Sequence, residues 1–448
     1  MNQAKKQIPI RSLEFSAAFS QLSKQEQLYT YFFYRASWEG CPIVQFNISK
    51  ESPAIFVVLQ YFFSSFDSFD SLKQIVINAT SEEEFDQFIE YACKFYSNIG
   101  NYNSFGFNKI LPIGITIDSF DKILALSPSK DKISGVWNRV RETVFDDDKN
   151  CMIIQLEEKG GKNNYYLNGI TEEEINKVDT FLLQQKINPL NTRLIKLAEN
   201  KFAFLVGSVE TKIRRFDGED WIIGYYGDFN RFLNILTENL EKARDYAAND
   251  IQRDMLTKYI ESFTTGSVEA HKDSQRLWVK DLKPVVETNI GWIETYIDPI
   301  GVRGYYEGLV ALTDKENSKK FTNLVNLAPK VIATLPWEAH FENFPFKEPD
   351  FTALDVVCFA SDGCPIGINI PNYDDIREEI GFKNVSLSNA YPSFKSLSYS
   401  RFLSDEDITK LQEFGQNSYI IQVACHELLG HGTGKLLRVD EKAKLTLN

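Results

Sequence analysis

Histidine is scarce in this sequence: four residues among 448. A surplus of positive charge is missing too, since 49 Lys and Arg face 62 Asp and Glu, a net charge of −13. Nucleic acid is therefore excluded as a partner, because the phosphate backbone demands a basic face. What an acidic surface can draw in is a cation, such as the free amino end of a peptide. Cysteine numbers six (Cys41, Cys93, Cys151, Cys358, Cys364 and Cys425), with no C-x-x-C pair. Such thin spacing argues against a disulfide framework and for buried, reduced thiols in a cytoplasmic protein. Long apolar runs are absent as well. The greasiest, Ile55 to Phe63, is broken by Gln60 and is too short to span a bilayer. Met1 to Pro9 lacks the apolar stretch of a signal peptide, so no membrane association is expected. No internal repeat and no low-complexity linker marks a domain border.

What is present is a rich apolar content. Hydrophobic residues make up 43% and aromatics 13%, enough for an extensive core, and the length predicts two or more domains. Leu13, Phe15, Ala18, Phe19 and Leu22 recur at helix spacing, and Ser23 with Gln25 and Glu26 marks a second helix start. Ser81 before three glutamates, and Thr171 before Glu172, Glu173 and Glu174, predict two further capped helices, the latter running to Gln185. Ser97 to Gly106 reads as a loop. Phe202–Val206 and Trp221–Tyr226 read as short strands of a small sheet or barrel within residues 193–226. Phe229 to Phe263 returns to helix.

One motif is sharp. In Val423-Ala424-Cys425-His426-Glu427-Leu428-Leu429-Gly430-His431, two of the four histidines flank a glutamate in an apolar, helix-compatible stretch. Histidines at i and i+4 on one helix bind zinc in H-E-x-x-H. Here the spacing is i and i+5, which on a regular helix leaves the side chains about 140° apart. A π turn absorbs one extra residue and would bring them back together. Gly430 tolerates the distortion such a turn needs. An ionised glutamate in an apolar segment also needs a reason, and a general base beside a metal supplies one.

His426 to His431, H-E-L-L-G-H, resembles the H-E-x-x-G-H signature of the dipeptidyl peptidase III family, peptidase family M49. Further segments are similar to that family along the whole chain: Tyr96 to Tyr102, Tyr259 to Phe263 with Gly266 to Lys272, and Gly367 to Asp375. The resemblance implies an α+β, two-lobed metallopeptidase. A mixed lobe with a small β-barrel would take residues 1–314 and 353–398, and a mainly helical zinc lobe residues 315–352 and 399–448. It implies a zinc-dependent enzyme that releases dipeptides from the N-terminus of short peptides. His426 and His431 would be zinc ligands, and Glu427 would activate the zinc-bound water. Ile293-Glu294-Thr295-Tyr296 resembles the family's I-E-S-Y segment; Glu294 would receive the peptide ammonium and Tyr296 would hydrogen-bond the tetrahedral intermediate. Asn369 and Asn372 would hold the same end of the peptide, and Cys364 to Ile368 would pair with it as an added strand. Read from residues alone, Glu294 and Tyr296 fit an ordinary amphipathic helix face, and Gly367 to Asp375 a turn around Pro371. His271 and His340 have no metal spacing and read as structural or surface residues.

Two departures stand out. The resemblance implies a third zinc ligand, a glutamate in a later E-E-C-R-A-E-type motif, and no such motif stands in these 448 residues. Glu441, in a polar stretch, is a poor substitute. A C-terminally truncated chain of the full enzyme is expected, with little activity and weak metal binding of its own. The alternative is a non-catalytic peptide-binding or interaction protein. The second departure is Tyr305, where members of the family usually carry an acid. Glu307 remains, so the amine-binding charge is weakened but not lost.

Overall fold

The computed structural model describes residues 13–342, 346, 349–391 and 402–435, and the strand segments 437–439 and 445–447. Met1 to Pro9 and Glu441 lie outside the described residues. The architecture is α+β, with one sheet curled as a half-barrel. Two five-stranded sheets form most of the β structure, and 437–439 pairs with 445–447 in a small antiparallel ribbon. The first comprises β1 (Tyr166–Leu167), β2 (Thr192–Ala198), β3 (Lys201–Gly207), β4 (Lys212–Phe216) and β5 (Glu219–Asp228), in the order β1-β2-β3-β5-β4. The second comprises β6 (Val286–Trp292), β7 (Tyr306–Thr313), β8 (Asp350–Phe359), β9 (Gly367–Ile370) and β10 (Lys383–Leu387), in the order β6-β7-β8-β10-β9.

Strands β6 and β7 are buried almost throughout, so both their faces are covered. The Lys24–Ile48 helix lies on β7, and the Tyr306 hydroxyl donates to the carbonyls of Ser37 and Ala36 at 2.9 and 3.3 Å. Helices Asn230–Arg244, Asp250–Thr265 and Val268–Trp278 complete this core with Leu236, Tyr259 and Trp278. A second core, around Phe62, Phe88 and Phe120, belongs to the helices between Ser52 and Phe145. A smaller core joins the Lys315–Ile332 helix, through Phe321 and Ala328, to Phe351 and Ala353 on β8 and to Ala424 and Leu428 beside the histidine motif.

Local signals account for most helix starts. Ser23 with Glu26, and Thr171 with Glu174, form full capping boxes, and Ser81 caps through Glu84. The Glu172–Gln184 helix and strands β3 and β5 fall where the pattern puts them. Two expectations differ. The stretch from Leu13 to Leu22 is helical only at Ser16–Ser20. Phe229 to Phe263 is two helices, because Asn249 accepts from the Gln252 amide and starts a second one. Among the described residues no helix is long and apolar enough to cross a membrane. All six cysteines are unpaired.

Candidate active site

The Asp405–Cys425 helix passes directly into a π turn over His426–Gly430. The His431 amide donates to the His426 carbonyl at 3.1 Å, a bond five residues long. That extra residue per turn rotates His431 back onto the face of His426. The imidazole centroids are 4.9 Å apart with their planes at 81°. Gly430 keeps a right-handed backbone in open space, so it is not the glycine the turn depends on. Gly432 is: a β-carbon there would stand 2.2 Å from the Leu428 carbonyl oxygen. Arg377 braces the turn from outside, donating to the His431 carbonyl at 3.2 Å.

The motif opens onto a cleft of about 1080 Å³. His426, Glu427 and His431 line it together with Glu294, Tyr296, Glu307, Asn369 and Asn372, which the fold gathers from distant parts of the chain. Glu294 and Tyr296 occupy the irregular segment after β6 and not an amphipathic helix. Asn372 follows the Ile370–Pro371 cis bond and donates to the Ile293 carbonyl at 3.3 Å. Asn369 lies on β9 and reaches the Glu427 carbonyl at 3.4 Å. β9 is an edge strand, paired on one side only, with β10. The free edge is therefore Gly367–Ile370; Cys364 to Ile366 precede the strand.

Glu427 is 5% exposed, and its Oε2 has no hydrogen-bond partner. Burial pushes its carboxyl up to about 7. The backbone of Gly367 makes room for that carboxylate. Burial also raises Glu294, against hydrogen bonds from Asn372 and Tyr296. Glu307 is raised well above the usual carboxylate range, first by burial and then by Glu294 and Asp362 nearby. His431 is held below its ordinary value by burial, with His426 and Arg377 adding to it. A low imidazole pKa keeps the ring neutral and its lone pair available.

Two convergent imidazoles are ligands that zinc takes. Among the described residues, no group of three His, Cys, Asp or Glu closes into a metal-holding set. The described residues thus supply a fitting pair and not a full set. His271 and His340 take no part in the cleft. His271 is buried, pushed down to about 4 by burial, and bonds Tyr373 at 2.8 Å and the Ile290 carbonyl at 3.1 Å. His340 lies 3.2 Å from Glu338. Sequence reasoning missed Asp362 and Arg377, which line the cleft.

The pattern of Peptidase family M49 matches residues 136–448. The chain belongs to this family. It is 42% identical over 440 residues to dipeptidyl peptidase 3 of Dictyostelium discoideum, covering 97% of this chain and 62% of that protein. Dipeptidyl peptidase 3 of Homo sapiens is 38% identical over 465 residues, with the same two shares. The chain therefore spans 62% of the length of these curated relatives. The solved structure of DPP III from Caldithrix abyssi overlays with a TM-score of 0.58 at 18% identity, covering 96% of this chain and 67% of that one. DPP III from Corallococcus sp. strain EGB gives 0.57 at 16%, covering 96% and 66%. At such identity the overlays speak to the fold.

Proposed function

We propose that this chain is the peptide-binding and histidine-bearing part of a zinc-dependent dipeptidyl peptidase that releases dipeptides from the N-terminus of short peptides. The observation that carries the proposal is the π turn, which sets two imidazoles 4.9 Å apart beside a buried carboxylate in a large cleft. His426 and His431 would hold the metal. Zinc, when bound, supplies Lewis acidity and a hydrolytic nucleophile at neutral pH.

The chain's own groups suit the remaining tasks. Glu427, pushed up to about 7, is a base near working pH that can take a proton and return it to a leaving amine. Glu294 and Glu307 offer negative charge to the peptide ammonium, and Asn369 and Asn372 hold the same end. Tyr296, 66% exposed and hydrogen-bonded to Glu294, would turn its hydroxyl from that carboxylate to a developing oxyanion. The free edge of β9 can pair with an extended peptide through backbone groups. The lobe division at residues 1–314 and 353–398 against 315–352 and 399–448 belongs to the same proposal, supported by the packing of Phe321 and Ala328 in one core with Ala424 and Leu428. So does a cytoplasmic setting, supported by six unpaired thiols.

The incomplete ligand set among the described residues favours a second reading for the chain alone, peptide binding without turnover. Zinc titration against a chromophoric chelator separates the parts. His426→Ala and His431→Ala should each weaken zinc binding roughly tenfold or more. Equal affinity in wild type and both variants would remove the metal assignment. Dipeptide release from a dipeptidyl-arylamide with zinc present, lost in Glu427→Ala, would establish the enzyme over the binder.

A further inference from the structure

We infer that Asp362 is a third carboxylate of the cradle that takes the peptide's free amino group, and that it sharpens the preference for an unblocked N-terminus. The inference rests on the amine-end recognition proposed above and adds a residue to it. Strands β6, β7 and β8 are neighbours in the second sheet. The register pairs Trp292 with Tyr306 and Leu309 with Phe359, so the end of β6, the start of β7 and the end of β8 meet at one edge of the cleft. Glu294 follows β6, Glu307 is the second residue of β7, and Asp362 follows β8. Three carboxylates thus arrive from three adjacent strands.

Their backbones are fastened. The Tyr305 amide donates to the Glu294 carbonyl at 2.9 Å, and Ala360 donates to the Gly308 carbonyl at 2.8 Å. The Ser361 hydroxyl donates to the Tyr306 carbonyl at 3.0 Å and lies 3.3 Å from Asp362 Oδ1. Tyr305 reaches both Glu307 and Asp362. One phenol carries one proton and can donate to only one carboxylate at a time. When it turns to Asp362, which Ser361 and its own amide also serve, Glu307 is left in want of a proton or a cation.

Among the described residues, no cation acts on Glu307 or Asp362. The well-buried ion pairs, Arg193–Asp228, Arg303–Asp179 and Lys383–Glu287, lie elsewhere, and among the described residues none reaches the three acids. Arg377 faces the same cleft and its charge acts on Glu294, but its guanidinium donates to the carbonyls of Pro371 and His431. Glu307 is 7% exposed, so its charge is costly unless a guest neutralises it. The three acids do not close around a bare metal ion. An alkylammonium fits better, because it carries one positive charge and three N–H donors for three acceptors.

Calorimetric titration of the chain with a neutral, C-terminally amidated tetrapeptide tests this, using free-amine and N-acetylated forms. Wild type should prefer the free amine by roughly tenfold or more, and Asp362→Asn should cut that ratio about fivefold, the loss falling on the free-amine form. Asp362→Glu should recover most of the ratio, which separates charge from folding. If wild type prefers the free amine and Asp362→Asn prefers it equally, Asp362 has no part in the cradle and the amine-end reading stands. A loss shared equally by both forms would likewise overturn the assignment. If wild type does not distinguish the two peptides, both readings fall.

Discussion

A β-carbon at position 367 would stand 2.3 Å from Oε1 of Glu427. The strand that offers its edge to a peptide therefore also seats the carboxylate proposed to act on it. Gly367→Ala should force Glu427 aside or push β9 outward. Overpacking of this kind costs about 1–3 kcal/mol, so urea unfolding should show a loss in that range together with weaker peptide binding. Unchanged stability and unchanged binding would mean that the carboxylate sits elsewhere in solution. Asp362 gives a second residue-scale prediction. Burial raises its carboxyl to about 7, against hydrogen bonds from Ser361, its own amide and Tyr305. The charges facing it are Glu307 and, through Glu307, Glu294. An unfolded Asp titrates near 3.9, so between about pH 4 and pH 7 the folded state holds the extra proton. Stability from this group therefore falls as pH rises through that window. Asp362→Asn should melt higher than wild type near pH 8, by about 2 °C, with the gap closing toward pH 4. A gap independent of pH would show that the carboxyl is ionised throughout. The histidine motif was legible because its members lie within six consecutive residues. Asp362 was not, because its partners come from strands more than fifty residues upstream, and one acid in a Ser-Asp-Gly turn carries no local signal.

At the scale of elements, periodicity located helices better than it divided them. The stretch from Phe229 to Phe263 has a nearly continuous apolar face, with Leu233, Leu236, Leu240, Met255 and Tyr259 all buried in one core. Its break at Asp245–Asn249 is set by side chains that a periodic pattern does not weigh. Asn249 accepts from the Gln252 amide at 2.8 Å and donates to Asp281 at 3.1 Å, while Gln252 donates to Asp281 at 2.8 Å. Asparagine followed three residues later by glutamine is a cap signal in its own right. Asn249→Ala should cost about 1–2 kcal/mol in denaturant unfolding, since it removes the cap and one partner of a buried aspartate. Asn249→Ser should restore part of it through the cap alone. Equal losses in both variants would place the energy in the Asp281 contact. The π turn, by contrast, was legible as a necessity, since the i, i+5 spacing leaves no other way for two rings on one helix to converge. Which glycine it depends on was not, because the clash that selects Gly432 is with a carbonyl four residues back.

For the molecule as a whole, two regions differ in how well they bury what they carry. The mixed region closes over extensive cores. The helices beside the motif do not. Phe414 and Ile421 on the Asp405–Cys425 helix are 54% and 61% exposed, and Leu327 on the Lys315–Ile332 helix is 49% exposed. Only four residues of the 21-residue Asp405–Cys425 helix are buried. Composition pointed to an ample core, and it does not say how evenly that core is spread. Apolar side chains on such a face attract hydrophobic dyes and one another. Phe414→Lys combined with Ile421→Lys removes two of them without opening a cavity, because neither is buried. Unfolding free energy should change by less than about 0.5 kcal/mol for each, while dye fluorescence and concentration-dependent light scattering both fall. A large loss of stability would instead mean that these side chains are covered in solution by packing within the same chain.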